Sequence, residues 1–287
     1  MIRIPEPIED IVVNLLRLAN TKLPDDVGWA LEAAAAWETD EIAYSQLGGI
    51  MDNVKKAEFT GRPMCQDTGI PIFYVSGRMI ASLDEEIRKG VRKATETIPL
   101  RPNTVHPLTR KNSGDNLGKG MPIVHYRPTD DPFTEITVMP KGAGAENMTR
   151  LAMLDPSDGI AGIKRFVLNA VLEAGGRPCP PTVVGVGIGG TADRCVAMSK
   201  EALLAPADSV NADDDERKLE EELFMTLNSS GLGPMGLGGN STVLRVHVRT
   251  EYCHTASLPV AVNLSCWASR RATVRINDDG TAEYRQK

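Results

Sequence analysis

The chain has 287 residues, 41% of them hydrophobic, with 32 Lys and Arg against 38 Asp and Glu for a net charge of -6. That balance argues against a nucleic-acid binder, whose phosphate contacts need clustered basic side chains, and no apolar run approaches the ~18 residues of a membrane span. Met1-Ile2-Arg3-Ile4-Pro5-Glu6 lacks the apolar stretch of a secretory signal, so a cytoplasmic protein is expected, as a single domain or as two lobes at 1–140 and 141–287.

In chain order, Ile8, Ile11, Val12, Leu15, Leu16 and Leu18 recur at helical spacing between Pro7 and Ala19. Pro24-Asp25-Asp26 ends that helix and starts another. Helices are expected over Asp25 to Trp37 and Asp40 to Phe59, forming an N-terminal helical layer with no chemistry visible in it. After Gly61 the composition changes. Pro63-Met64-Cys65-Gln66-Asp67-Thr68-Gly69 places a thiol, an amide, a carboxylate and a hydroxyl on consecutive residues and runs into a strand over Ile70 to Val75. Leu83 to Ile98 alternates charged and apolar residues as an amphipathic helix does. Arg101-Pro102-Asn103-Thr104 and Thr109 to Asn116 then make a long polar segment without a period; loops of that length in a compact domain are functional or disordered. Strands are expected at Pro122 to Tyr126 and Phe133 to Met139.

Lys141-Gly142-Ala143-Gly144-Ala145-Glu146-Asn147 opens the second half, and a helix over Pro156 to Ala174 stops at Gly175-Gly176. Pro178-Cys179-Pro180-Pro181 precedes a strand over Thr182 to Ile188, a glycine turn and a helix over Ala192 to Leu204. The acidic stretch Asp208 to Glu222 reads as a solvated loop and helix face. Gly231 to Thr242 is the most glycine-dense part, and strands follow near Val243 to Val248, Ser257 to Val262 and Arg271 to Ile276. The pattern is α/β, a mixed sheet flanked by helices.

Gly185, Gly187 and Gly190, and again Gly231, Gly233 and Gly236, match the spacing of a dinucleotide fingerprint. In the first case glycines occupy the strand itself, and in the second Pro234 interrupts the pattern, so tight packing or an anion cradle of backbone N–H groups competes with nucleotide binding. Five cysteines with wide spacings in a chain without an export signal make disulfides improbable. Cys65, Cys179 and Cys266 sit beside prolines, turns and strand ends, where a sulfur can face a cofactor. Cys195 and Cys253 look ordinary. Spacing alone leaves open five unrelated thiols, a structural His254 and a surface Arg101.

Taken together, Cys65-Gln66-Asp67-Thr68-Gly69, Lys141 to Asn147, Cys179-Pro180-Pro181 with Gly185 to Thr191, Gly236-Leu237-Gly238-Gly239, and His254-Thr255-Ala256-Ser257 through Cys266-Trp267 resemble the class I, iron–sulfur fumarate hydratase and L-tartrate dehydratase family. The resemblance runs from about Asp10 to Ile276. It implies that Cys65, Cys179 and Cys266 hold a [4Fe-4S] cluster with one iron lacking a protein ligand. It further implies that Gln66 and Asp67 lie at the substrate, with Asp67 a candidate for proton transfer, that Arg101 binds a substrate carboxylate, that Gly144 offers its backbone, and that His254 belongs to the active site. Ala145 stands where the family usually has serine, and Asn240 where it often has lysine. Single-chain members carry a further C-terminal domain, so the resemblance implies an α subunit completed by a β subunit, as α2β2, acting on a small dicarboxylate. Thr109 to Gly118 points to malate and fumarate, Asn240-Ser241-Thr242 to tartrate. A nucleotide-binding or structural protein is the alternative from another class.

Overall fold

The computed structural model describes residues 6–286. In its first part run α1 (Ile8–Thr21), α2 (Asp25–Trp37), α3 (Glu41–Thr60), β1 (Ile70–Gly77), α4 (Leu83–Thr97), β2 (Ile123–Pro128), β3 (Thr134–Lys141) and the short α5 (Ala143–Glu146). β4 (Arg150–Leu154), α6 (Gly159–Ala174), β5 (Thr182–Gly189), α7 (Ala192–Ala202), α8 (Asp214–Asn228), β6 (Val243–Glu251), β7 (Leu258–Ser265), β8 (Ala272–Ile276) and β9 (Ala282–Arg285) follow. The protein is α/β, and its chain forms two compact units, one from residues 6–25, 53–143 and 270–286, the other from 26–52 and 144–269. Among the described residues no helix is long and apolar enough to cross a membrane.

The first unit is built on a mixed five-stranded sheet in the order β2-β1-β3-β8-β9, with β1 parallel to β2 and antiparallel to β3. Ile11, Val12, Leu15 and Leu16, read from the sequence as one helical face, are all buried, and they share a core with Ile87, Val91 and Ala94 of α4 and with Phe73 and Val75 of β1. Each such side chain contributes roughly 1.5–3 kcal/mol on burial. Gly90 sets how closely α1 and α4 approach, because a Cβ there would stand 2.5 Å from Val12 Cβ. Lys93 ties the pair at its rim by bonds to Asp10 (2.6 Å) and Glu9 (3.2 Å).

A second mixed sheet, in the order β4-β7-β5-β6, carries the other unit. β5 is buried along its whole length, and its two faces differ. Val184, Val186 and Ile188 join a core with Ile163 and Val167 of α6 and Leu223 and Leu227 of α8. Gly185 and Gly187 point the other way, where any Cβ would strike the Ser199 and Cys195 carbonyls of α7. Their spacing therefore reflects helix-on-strand packing. The acidic stretch is less solvated than expected. Glu216 and Glu220 of α8 accept the N–H groups of Thr250 and Val248 (both 2.8 Å). Edge strand β6 thus has carboxylates on N–H groups that no further strand pairs, and Glu220 is only 3% exposed.

Candidate active site

In the first unit the candidate residues lie on a turn, Met64 to Gly69, held at both ends. Met64 N–H donates to Asn20 O (2.9 Å), while Met64 O accepts from Asn53 Nδ2 (2.7 Å). At the other end Asp67 O accepts from Arg270 Nη2 (3.0 Å). Both carboxylate oxygens of Asp67 are engaged: Oδ1 accepts from Gly69 N (2.9 Å) and Asn103 Nδ2 (3.2 Å), and Oδ2 from Ala143 N (2.8 Å). Asp67 thus joins three chain segments. Between the clamps, Cys65 and Gln66 make no hydrogen bond among the described residues, Cys65 being half-buried and Gln66 exposed. A turn whose backbone is fixed while two functional side chains stay uncommitted is organised to receive something.

Arg101 lies beside this turn because Thr68 Oγ1 accepts from Arg101 N (3.1 Å) and donates to Arg101 O (3.3 Å). The long polar segment is ordered by asparagines. Asn116, 3% exposed, accepts from Asn103 N (2.6 Å) and donates to Arg101 O (3.2 Å), while Asn112 Nδ2 donates to Pro102 O (2.7 Å). Arg101's backbone is strapped down on both sides and its side chain is exposed. Gly69 closes the turn at φ +78°, where a Cβ would stand 2.8 Å from Lys141 N.

In the second unit Cys179 follows the C-terminal cap of α6, at φ 55°, with its N–H donating to Gly176 O (3.0 Å). Its carbonyl accepts from Trp267 N (3.2 Å), which sets the Cys179 loop against the residue after Cys266 at the end of β7. Gly144 packs on the same loop: a Cβ there would be 2.7 Å from Arg177 O. The structure thus brings Gly144, Cys179 and Cys266 together in one unit and Cys65, Gln66, Asp67 and Arg101 together in the other. His254 sits on an exposed turn after β6, and its Nδ1 accepts from Ala256 N (3.1 Å). That contact uses Nδ1 as an acceptor, so the neutral ring carries its proton on Nε2. The other two cysteines are engaged locally. Cys195 is buried with Sγ on Gly187 O (3.1 Å), and burial pushes its thiol up to about 11; Cys253 Sγ meets Ser257 O (3.2 Å).

The residues fit an iron–sulfur cluster in their chemistry. Cys65, Cys179 and Cys266 are partly exposed, unlike the buried Cys195. Thiolates at partly exposed loop positions are the donor type such clusters use. Among the described residues no three His, Cys, Asp or Glu side chains gather as a site for a single metal ion. The family departures also find explanations. Ala145 is 4% exposed, so a small apolar side chain suits its place. Asn240 is bound to the turn after α2, its Nδ2 donating to Trp37 O (3.3 Å) and Thr39 Oγ1 (3.0 Å) and its N–H to Glu38 Oε2 (2.9 Å). Arg270, Asn20, Asn103 and Asn116 escaped sequence reading. The available signal was two adjacent arginines, Arg270 and Arg271, between Trp267-Ala268-Ser269 and Ala272-Thr273-Val274, a largely apolar setting for two charges.

Comparison with known proteins identifies the family. The sequence matches the family described as "Fumarate hydratase (Fumerase)" over residues 9–275. A protein of Methanocaldococcus jannaschii named "Putative L(+)-tartrate dehydratase subunit alpha" is 49% identical over 280 residues, covering 95% of this chain and 98% of that one. The "L(+)-tartrate dehydratase subunit alpha" of Escherichia coli K12 is 34% identical, over 96% and 93% of the two chains. A "Putative fumarate hydratase class I" of Geobacillus stearothermophilus is 35% identical over 97% of this chain but 56% of its own length. With the family match running over residues 9–275 and so through both units, the chain belongs to the class I fumarate hydratase family and is a hydro-lyase.

Proposed function

We propose that this chain is the α subunit of an iron–sulfur hydro-lyase that reversibly dehydrates (S)-malate to fumarate. In this reading Cys65, Cys179 and Cys266 hold a [4Fe-4S] cluster with one iron free of protein ligands. Such a cluster, when bound, supplies Lewis acidity toward a substrate hydroxyl without redox change. The chain's own residues do the rest of the positioning. Arg101 presents an exposed guanidinium from a strapped backbone, suited to a bidentate carboxylate contact. Gln66 offers an uncommitted amide, and Gly144 an exposed backbone without a side chain in the way. His254 offers an Nε2–H donor to negative charge that develops as the proton alpha to the carboxylate is removed. Asp67 holds Gly69, Asn103 and Ala143 in register, and its bonds make it an organiser of the turn before it is a base. Dehydration removes a proton from one carbon and the hydroxyl from its neighbour. The base, on this reading, comes from a β subunit, with the two chains as α2β2 in a reducing, cytoplasmic setting.

The observation that carries the reading is the turn with Cys65 and Gln66 uncommitted between two clamps. Malate is preferred over tartrate because the segment Thr109 to Gly118 resembles that of the fumarate hydratase α subunits. The second reading, dehydration of L-tartrate to oxaloacetate, draws on the names of the Methanocaldococcus and Escherichia relatives. The test is to reconstitute the chain anaerobically, add the cognate β chain and follow fumarate absorbance with malate and, separately, oxaloacetate formation from tartrate. Turnover of malate is expected; turnover of tartrate alone would replace the first reading with the second.

A further inference from the structure

We infer that Arg270 is a positioning residue for the Cys65–Gln66 turn: a buried guanidinium that pins the carbonyl of Asp67 and so decides where Cys65 and Gln66 point. The inference rests on the reading of that turn as part of the active site.

Arg270 is 3% exposed. Its Nη1 donates to Asn20 Oδ1 (3.0 Å) and its Nη2 to Asp67 O (3.0 Å), both neutral acceptors, while Nε has no hydrogen-bond partner. Among the described residues no carboxylate pairs with it. A cation removed from water with no carboxylate in direct contact is costly to keep, so a purely space-filling role would be served better by an apolar side chain of the same length. What the guanidinium adds is a fork. Asn20, wholly buried in the last turn of α1, donates Nδ2 to Leu16 O (2.9 Å) and accepts Met64 N–H on its own carbonyl (2.9 Å). One end of the Cys65–Gln66 turn is therefore fixed to Asn20 directly. The other end is fixed to the same asparagine through Arg270. Both clamps refer to one rigid helix end, and the two side chains between them inherit that precision. Gly142 leaves the room this needs, since a Cβ there would stand 3.3 Å from Asp67 Oδ2 and 3.8 Å from Arg270 Nη2. A lysine carries the charge but is a single point of donation, whereas the fork meets two acceptors in fixed directions. The positive charge at the turn also favours anionic occupants, whether thiolates or a dicarboxylate.

The experiment uses the full chain with Arg270→Met, which removes fork and charge, and Arg270→Lys, which keeps the charge. In the cluster-free protein, hydrogen–deuterium exchange of the peptide spanning residues 64–69 should accelerate about tenfold or more in R270M, the effect of losing a charge-assisted bond. Peptides from α4 and α6 should exchange as in the wild type. After anaerobic reconstitution, iron and sulfide bound per chain should fall by more than half in R270M and recover in part in R270K. Wild-type exchange of the 64–69 peptide together with wild-type iron uptake in R270M would overturn the inference. So would acceleration spread equally over α4, which marks general destabilisation. If R270M fails to fold, R270K carries the same two readouts, with a smaller loop-confined acceleration expected and wild-type exchange overturning. A wild-type chain that takes up no iron or sulfide would overturn the cluster reading instead, and the exchange data would still decide Arg270.

Discussion

Arg101 shows how a single exposed side chain is made precise. Thr68 and Asn116 bind its backbone groups and leave the guanidinium to solvent. If it grips a substrate carboxylate, Arg101→Lys keeps the charge and loses the bidentate geometry, so KM for the dicarboxylate should rise by about tenfold with kcat changed much less. Steady-state kinetics of the assembled enzyme check this; an unchanged KM would remove Arg101 from the binding site. Cys195 makes the opposite case, a thiol with no access. Burial raises it from 9.0 to about 11, so the folded state favours the protonated form. The stability this contributes is fully present below pH 9 and is lost as pH rises from 9 towards 11. The difference in unfolding free energy between wild type and Cys195→Ala, read from urea titrations, should therefore fall over that interval by an amount on the order of 2 kcal/mol. A constant difference from pH 8 to 11 would contradict it. Cys65, Cys179 and Cys266 were separable from Cys195 in the sequence because prolines and turn residues flank them, whereas Asn116 was not separable from any loop asparagine. Its meaning lies in partners at Asn103 and Arg101, and no local pattern encodes those.

At the scale of elements, periodicity found α1, α4 and β1 because one apolar stripe in each faces a core. β4 and β9 were missed: they are short, of 5 and 4 residues, and largely exposed, so alternation is weak. Strand order was invisible, since β8 joins β3 across nearly half of the chain and only long-range pairing fixes it. The fingerprint-like glycines of β5 are a case where the pattern was real and its cause was packing. Gly187→Ala would force a methyl into the Cys195 carbonyl and to within 3.1 Å of Met198 Cβ. It should cost about 1–3 kcal/mol as overpacking, read as a lower urea midpoint, with no change in nucleotide affinity because none is expected. A neutral substitution would show that α7 can move away from β5.

For the whole molecule, the proposed cluster predicts a brown protein when purified without oxygen and a colourless one when Cys179 is replaced by Ser. It also predicts loss of iron and of activity in air, because one iron lacks a thiolate. Visible absorption and an iron count per chain check both; activity indifferent to oxygen would count against the assignment. The bond between Arg270 and Asp67 spans 203 residues, and its consequence concerns the order in which the protein is made. During synthesis the Cys65 turn emerges early, with α1 and Asn20 already beside it, yet its second clamp is translated only after every strand of the other sheet. Contacts of such separation form late. A nascent chain therefore holds Cys65 on a turn secured at one end until the later segment carrying Arg270 has been made. On the proposed cluster reading, loading at a fully clamped turn therefore waits for the segment that carries Arg270, an order set by the topology of the chain.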